Sequence, residues 1–186
     1  NFADLEGKTC LITGAGKGFG RNMADGFFAA GCQLVLVTRS KEDITALRRE
    51  FKDTERVVII EGDVSDSETV GNIFETTMEA FGRLDILINN AGVRPVKPFI
   101  DMTLDDWRYV NGVNLDGPFF CCKEVIPGMV EREWGRIINV SGLNAFKGQP
   151  NWAHVCASKM GALGMTRALS TELATSNILV NHVVPG

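Results

Sequence analysis

No stretch of this 186-residue sequence stays apolar for much more than about six residues, far short of the roughly 20 that a membrane span requires. Nor does a charged segment followed by an apolar one open the chain, so no secretory leader is expected, and a start at Asn1 instead of Met points to trimming. Positive charge is not in excess. Nineteen Lys and Arg against 23 Asp and Glu leave a net charge of -4, so no overall field recruits nucleic acid or an anionic membrane, and any anion site must be local. Five cysteines (Cys10, Cys32, Cys121, Cys122 and Cys156) form an odd set with no C-x-x-C pair. That pattern fits a reducing cytoplasm better than a disulfide scaffold. Tyrosine is the scarcest side chain of consequence, with Tyr109 alone.

What is present is a globular composition, 45% hydrophobic and 23% charged, with 20 glycines against six prolines, which excludes disordered, collagen-like and coiled-coil chains. The length suits a single domain over residues 1–186. Short apolar, β-branched runs recur at 8–13, 33–38, 57–61, 84–88, 136–140 and 178–184, as expected of fully buried strands. Between them lie amphipathic segments such as 42–52 and 68–81, the second carrying Val70, Ile73, Phe74, Thr77, Met78 and Phe81 at helical spacing. Ser65 or Asp66 can cap that helix, and Gly82 can stop it. Six strands alternating with helices predict an α/β fold of the Rossmann type, a doubly wound parallel sheet in three layers with strand order 3-2-1-4-5-6. No linker or repeat interrupts the pattern.

The first turn carries the strongest chemical signal. Thr13-Gly14-Ala15-Gly16-Lys17-Gly18-Phe19-Gly20 follows a predicted strand and opens a predicted helix, the context of a dinucleotide fingerprint. Glycines let the backbone turn and approach a pyrophosphate, while the helix N-terminus offers N–H donors and a positive dipole end. The plainer alternative is a flexible strand-to-helix turn.

On these residues the chain resembles the short-chain dehydrogenase/reductase family, in particular the 3-oxoacyl-carrier-protein reductases. Thr13-Gly14 through Gly18-x-Gly20 matches T-G-x-x-x-G-x-G, Asp63-Val64 the D-V after the third strand, and Asn89-Asn90-Ala91-Gly92 the N-N-A-G after the fourth. Asn114, the Gly135–Asn139 strand, Ser158-Lys159 and Pro185-Gly186 extend the match to essentially the whole chain. The resemblance implies that Gly14, Gly18 and Gly20, with Phe19, cradle the pyrophosphate, and that Asp63 and Val64 border the adenine. It further implies that Asn90, Ala91 and Gly92, with Pro185 and Gly186, line the nicotinamide end, where Lys159 holds the ribose. A tight strand-end turn is the bland reading of N-N-A-G. At the end of the second strand an acidic residue would repel a 2'-phosphate, but Thr38 stands there, followed by Arg39. With Lys17 as a second cation, NADP is favoured over NAD. Solvated surface roles are the alternative for both cations.

The catalytic set departs from the family. Its proton donor is a tyrosine four residues before the helix lysine, where i and i+4 share a face, and that position is Val155. Its partner serine, thirteen residues earlier, is replaced by Gly142. Ser141 and His154 preserve the thirteen-residue spacing one position upstream and are candidate catalytic residues beside Asn114 and Lys159. Geometry opposes a simple exchange, because adjacent strand residues face opposite ways and His154 lies about 140° around the helix from Lys159. The plainer reading of His154 is a hydrogen-bonded histidine near a helix start.

Two expectations of different class follow. One is an NADP-dependent oxidoreductase moving hydride between nicotinamide and a small carbonyl or hydroxyl substrate, a ketone or 3-oxoacyl compound, with an atypical proton donor. The other is a catalytically silent nucleotide-binding module with a regulatory or structural part. Neither involves nucleic acid, a membrane or a metal. Relatives continue beyond the P-G exit with substrate-covering helices and a seventh strand, so a truncated or incompletely ordered C-terminus is expected. An open edge at the sixth strand, and tetrameric relatives, suggest a homo-oligomer.

Overall fold

A computed structural model describes residues 3–52 and 54–185. Six strands, β1 (Thr9–Thr13), β2 (Gln33–Thr38), β3 (Val57–Glu61), β4 (Ile86–Asn89), β5 (Gly135–Val140) and β6 (Ile178–Val183), form one sheet in the order β3-β2-β1-β4-β5-β6. All five ladders are parallel, with Cys10 opposite both Leu34 and Ile86, and Asn89 opposite Asn139. The order reverses between β1 and β4, which opens a crevice at their carboxyl ends.

The two faces of the sheet bury different layers. On one, Leu11, Val35, Leu87 and Ile137 pack with Val70 and Ile73 of α3 (Ser67–Phe81) and Val125 and Met129 of α5 (Gly117–Glu131). On the other, Cys10, Ile12, Leu34 and Ile88 pack with Ala24 of α1 (Gly18–Ala29) and Leu47 of α2 (Lys41–Glu50). The expectation of fully buried strands holds for β1 and β4. It does not hold at the edges, where β3 is half-buried and β6 alternates buried and exposed residues. An edge strand has a neighbour on one side only, so apolar composition alone does not bury it.

Local chemistry sets the helix ends. Asp66, not Ser65, caps α3 by accepting from Thr69 N at 3.0 Å, and Gly82 ends it at φ 71°. Ser40 caps α2 through Asp43 N. Thr103 and Asp106 form a capping box on α4 (Leu104–Asn111). The chain stays helical from α4 through a π turn (Gly112–Asp116) into α5, and Asn114 sits in that turn. After β5 come a short helix α6 (Leu143–Lys147) and the long α7 (Ala153–Glu172), which carries Val155 and Lys159. Among the described residues no helix is long and apolar enough to cross a membrane.

Candidate active site

A cleft of about 620 Å³ opens at the carboxyl ends of β1, β4 and β5, a size ordinary for a cofactor or ligand site. Its floor is a lock between two loops. Thr13 Oγ1 accepts from Asn90 N at 3.1 Å and from Ala91 N at 3.0 Å, while Asn90 Nδ2 donates to the carbonyls of Thr13 and Gly14. A Cβ on Gly14, whose φ is +65°, would sit 2.9 Å from Ala91 Cα, and one on Gly20 would run into the Gly14 carbonyl. The two glycine-bearing motifs therefore require each other, because side chains would force β1 and β4 apart.

Above this floor α1 begins without a side-chain cap, so its first N–H groups lack an intrahelical or capping acceptor. Nothing lies within 4 Å of where a Gly18 Cβ would be. Open space, unpaired donors and the positive end of the helix dipole together fit a phosphate. Gly14, Lys17, Phe19 and Gly20 line the cleft here, and Thr38 and Asp43 close the same end.

Arg39 does not line the cleft. Its guanidinium pairs with Asp63 at 2.8 Å and donates to the Tyr109 hydroxyl at 3.2 Å. Burial of Asp63 is outweighed by the Ser65 N–H and the Arg39 contact, which hold its carboxyl below the ordinary value. Val64 is buried against Gly117 instead of facing the cavity. Asp43 was not legible as a site residue. Its carboxylate lies against Gly16 and accepts from Thr38 Oγ1 at 3.4 Å, and only the docking of α2 beside the glycine turn puts it there.

The other end gathers Asn90, Ala91, Gly92, Ser141, Gly142, Val155, Lys159 and Pro185 in the lining. Gly186 lies outside the described residues. Lys159 Nζ donates to the Val140 carbonyl at 2.8 Å and approaches the Gly92 backbone. Burial pushes its pKa down to about 8. Asn114, itself buried, exchanges two 2.9 Å hydrogen bonds with the Val93 backbone and donates to Ser158 Oγ at 3.2 Å, tying the π turn to the β4 exit.

Ser141 Oγ is buried and, among the described residues, has no hydrogen-bond partner. His154 is fully buried, outside the cleft lining, and among the described residues neither ring nitrogen meets a hydrogen-bond partner of ordinary geometry. Burial lowers its pKa, partly offset by Asp106 and the Trp152 carbonyl. Among the described residues the ring thus lacks a hydrogen bond of ordinary geometry, although the Trp152 carbonyl still favours its cation. His182 on β6 was not singled out from the sequence. Its Nδ1 lies 3.4 Å from Thr166 Oγ1 and its Nε2 is unpartnered.

Comparison with known proteins agrees with this geometry. The short chain dehydrogenase family matches residues 8–186. The chain is 35% identical over 184 residues to the 3-oxoacyl-[acyl-carrier-protein] reductase of Aquifex aeolicus, spanning 98% of this chain and 74% of that protein. Against the reductase of the same description from Thermotoga maritima it is 37% identical over 183 residues, with the same coverage of 98% and 74%. A crystal structure of a short-chain dehydrogenase/reductase of glucose/ribitol dehydrogenase type from Brucella melitensis gives a TM-score of 0.89 at 36% identity, covering 97% of this chain and 75% of that one.

Proposed function

This chain belongs to the short-chain dehydrogenase family, and on that premise we propose that it is an NADP-dependent oxidoreductase acting on a small carbonyl or hydroxyl substrate, a ketone or 3-oxoacyl compound. Residues 1–186 act in this reading as a single dinucleotide-binding domain. The observation that carries it is the pairing of an open, uncapped α1 N-terminus at one end of the cleft with the inward Lys159 ammonium beside Gly92 at the other. The first suits the pyrophosphate and the second the nicotinamide ribose. Once bound, the cofactor supplies a hydride to the carbonyl carbon.

The protein's own groups do the rest. Gly14, Gly18, Phe19 and Gly20 let the phosphates approach the backbone, with Lys17 beside them. Arg39 and Asp63 form the adenosine side, with Val64 packed behind them against Gly117, and Arg39 draws the 2'-phosphate by exchanging part of its bond to Asp63. Asn90, Ala91, Gly92 and Pro185 shape the nicotinamide end, and Asn114 holds the β4 exit against α7. Gly142 and Val155 supply no hydroxyl, so proton delivery falls to an atypical group. Five free cysteines support a reducing cytoplasm.

Gly142 and Val155 are also the specific observation behind a second reading, a nucleotide-binding module without turnover. Purified protein oxidising NADPH with a panel of ketones and 3-oxoacyl thioesters supports the first. NADPH binding with no oxidation of any panel member supports the second.

A further inference from the structure

We infer that Lys159 is itself the proton donor to the carbonyl oxygen, acting directly where a phenol would otherwise stand. The inference rests on the oxidoreductase reading above and concerns which atom completes that reaction.

Among the residues lining the cleft, few carry a proton that can be given up near neutral pH. Arg94 is a cation that does not deprotonate, and Lys17 and Asp43 stand at the glycine-turn end. Among the described residues Ser141 Oγ has no hydrogen-bonded neighbour to resupply it, and His154 lies outside the lining. Lys159 remains. Its ammonium carries three N–H groups, of which the Val140 carbonyl takes one at 2.8 Å and the nicotinamide ribose a second, which leaves one for the substrate oxygen. Among the described residues no carboxylate pairs with it.

Val155 lies one turn earlier on the same face of α7 and lines the same cleft. Its side chain is much shorter than a phenol, so the ammonium is the first polar group that face presents. Gly142, extended at φ -167°, places no side chain between Nζ and the strand end. Burial leaves the group near pH 8, in the range where a general acid is both protonated and willing to donate.

The surrounding charges leave this intact. The pKa of His182, on β6, is lowered by burial and by the Lys159 and Arg167 charges. On α4, Asp106 acts on His154 and Tyr109 is turned to Arg39. Lys147 of α6 and Asp116 of the π turn are exposed, and Arg136 of β5 bonds the Asn177 carbonyl at the opposite end of the strand.

In reduction, as the carbonyl carbon gains hydride from the reduced nicotinamide, the C=O π pair moves onto oxygen. That oxygen takes a proton from Nζ, an O–H bond forms as an N–H bond breaks, and the neutral amine left behind is reprotonated by solvent.

The test combines kinetics with two readouts that do not need turnover. Wild-type reduction of a ketone that the enzyme accepts should fall about tenfold per pH unit above about 8. Lys159→Arg should still bind NADPH by fluorescence titration, lose that pH break and turn over about 10² or more slower, and methylamine should restore part of the activity of Lys159→Ala. Competitive acylation of the cofactor-free protein, read by mass spectrometry, should give Lys159 a midpoint near 8. A pH break that persists in Lys159→Arg overturns Lys159 as donor and leaves the oxidoreductase reading standing. NADPH binding by wild type without turnover overturns both.

Discussion

Asp43 and Arg39 bear oppositely on cofactor choice. The carboxylate of Asp43 faces the same end of the cleft as Lys17, while Arg39 is shared with Asp63 and Tyr109. A 2'-phosphate must therefore bind beside one carboxylate and draw Arg39 partly away from another. Asp43→Asn is expected to tighten NADPH relative to NADH by about two- to fivefold, the worth of one partly exposed ion pair. Arg39→Asp should shift the ratio the other way. Calorimetric titration of both cofactors checks the pair, and an unchanged ratio in both variants would count against the phosphate site. At the opposite end, a Cβ on Gly142 meets nothing within 4 Å and its backbone is extended, so serine enters without strain. The double variant Gly142→Ser, Val155→Tyr should raise kcat by about 10² or more with NADPH affinity nearly unchanged. Steady-state kinetics on one ketone decide it, and a rate no higher than wild type contradicts the assignment of these two positions.

Among the elements, the helical run from Leu104 to Glu131 depends most on one side chain. A π turn leaves backbone groups out of the regular ladder, and Asn114 uses its position there to satisfy both Val93 N and Val93 O. Removing the amide strands two backbone groups at the β4 exit, each worth roughly 1–3 kcal/mol when left unpaired out of water. Asn114→Ala should thus destabilise the fold by about 2 kcal/mol or more by urea denaturation, and should weaken NADPH binding because Gly92 and Lys159 lose their common support. A stability loss under 0.5 kcal/mol would show that the π turn stands without it. Asp85 performs a similar service at the start of β4, where its buried carboxylate accepts from Thr9 N at 3.0 Å and from Arg83 at 2.6 Å.

For the whole molecule, the buried ammonium of Lys159 is a source of pH dependence. Its pKa in the folded protein is about 8, against 10.5 for the ordinary group. Below 8 both folded and unfolded chains hold the proton and the full burial penalty is present. Between 8 and 10.5 the unfolded chain holds the proton that the folded chain has lost, so this group makes the fold more stable as pH rises. The buried thiols act in the opposite sense, since burial raises Cys10, Cys121 and Cys122 above their ordinary 9.0. Stability they provide is lost as the unfolded chain ionises first. The difference between wild type and Lys159→Met isolates the lysine. That difference should change by on the order of 2 kcal/mol from pH 8 to 10 in favour of wild type, read from urea midpoints. A flat difference would place the ammonium in water.

The architecture was legible because its signals are local. Alternating β-branched runs and helical periodicity at 68–81 need no distant contact to be read, and strand order followed from the Rossmann pattern, with the glycine turn and N-N-A-G at the carboxyl ends of the first and fourth strands. The glycine turn and N-N-A-G were equally plain, since each depends on residue type at a fixed spacing. Edge exposure of β3 and β6 was not, because a strand's place in the sheet is set by its neighbours. The same limit applies within the site. Sequence offered Arg39 as a phosphate ligand, but only tertiary packing brings Asp63 and Tyr109, 24 and 70 residues away, to its guanidinium. Packing also carried Asp43 into the cleft and His154 out of its lining. Local chemistry determined what the chain is made to fold into, and long-range packing decided which charges meet, because the energy of a charge depends on the groups and solvent around it in space.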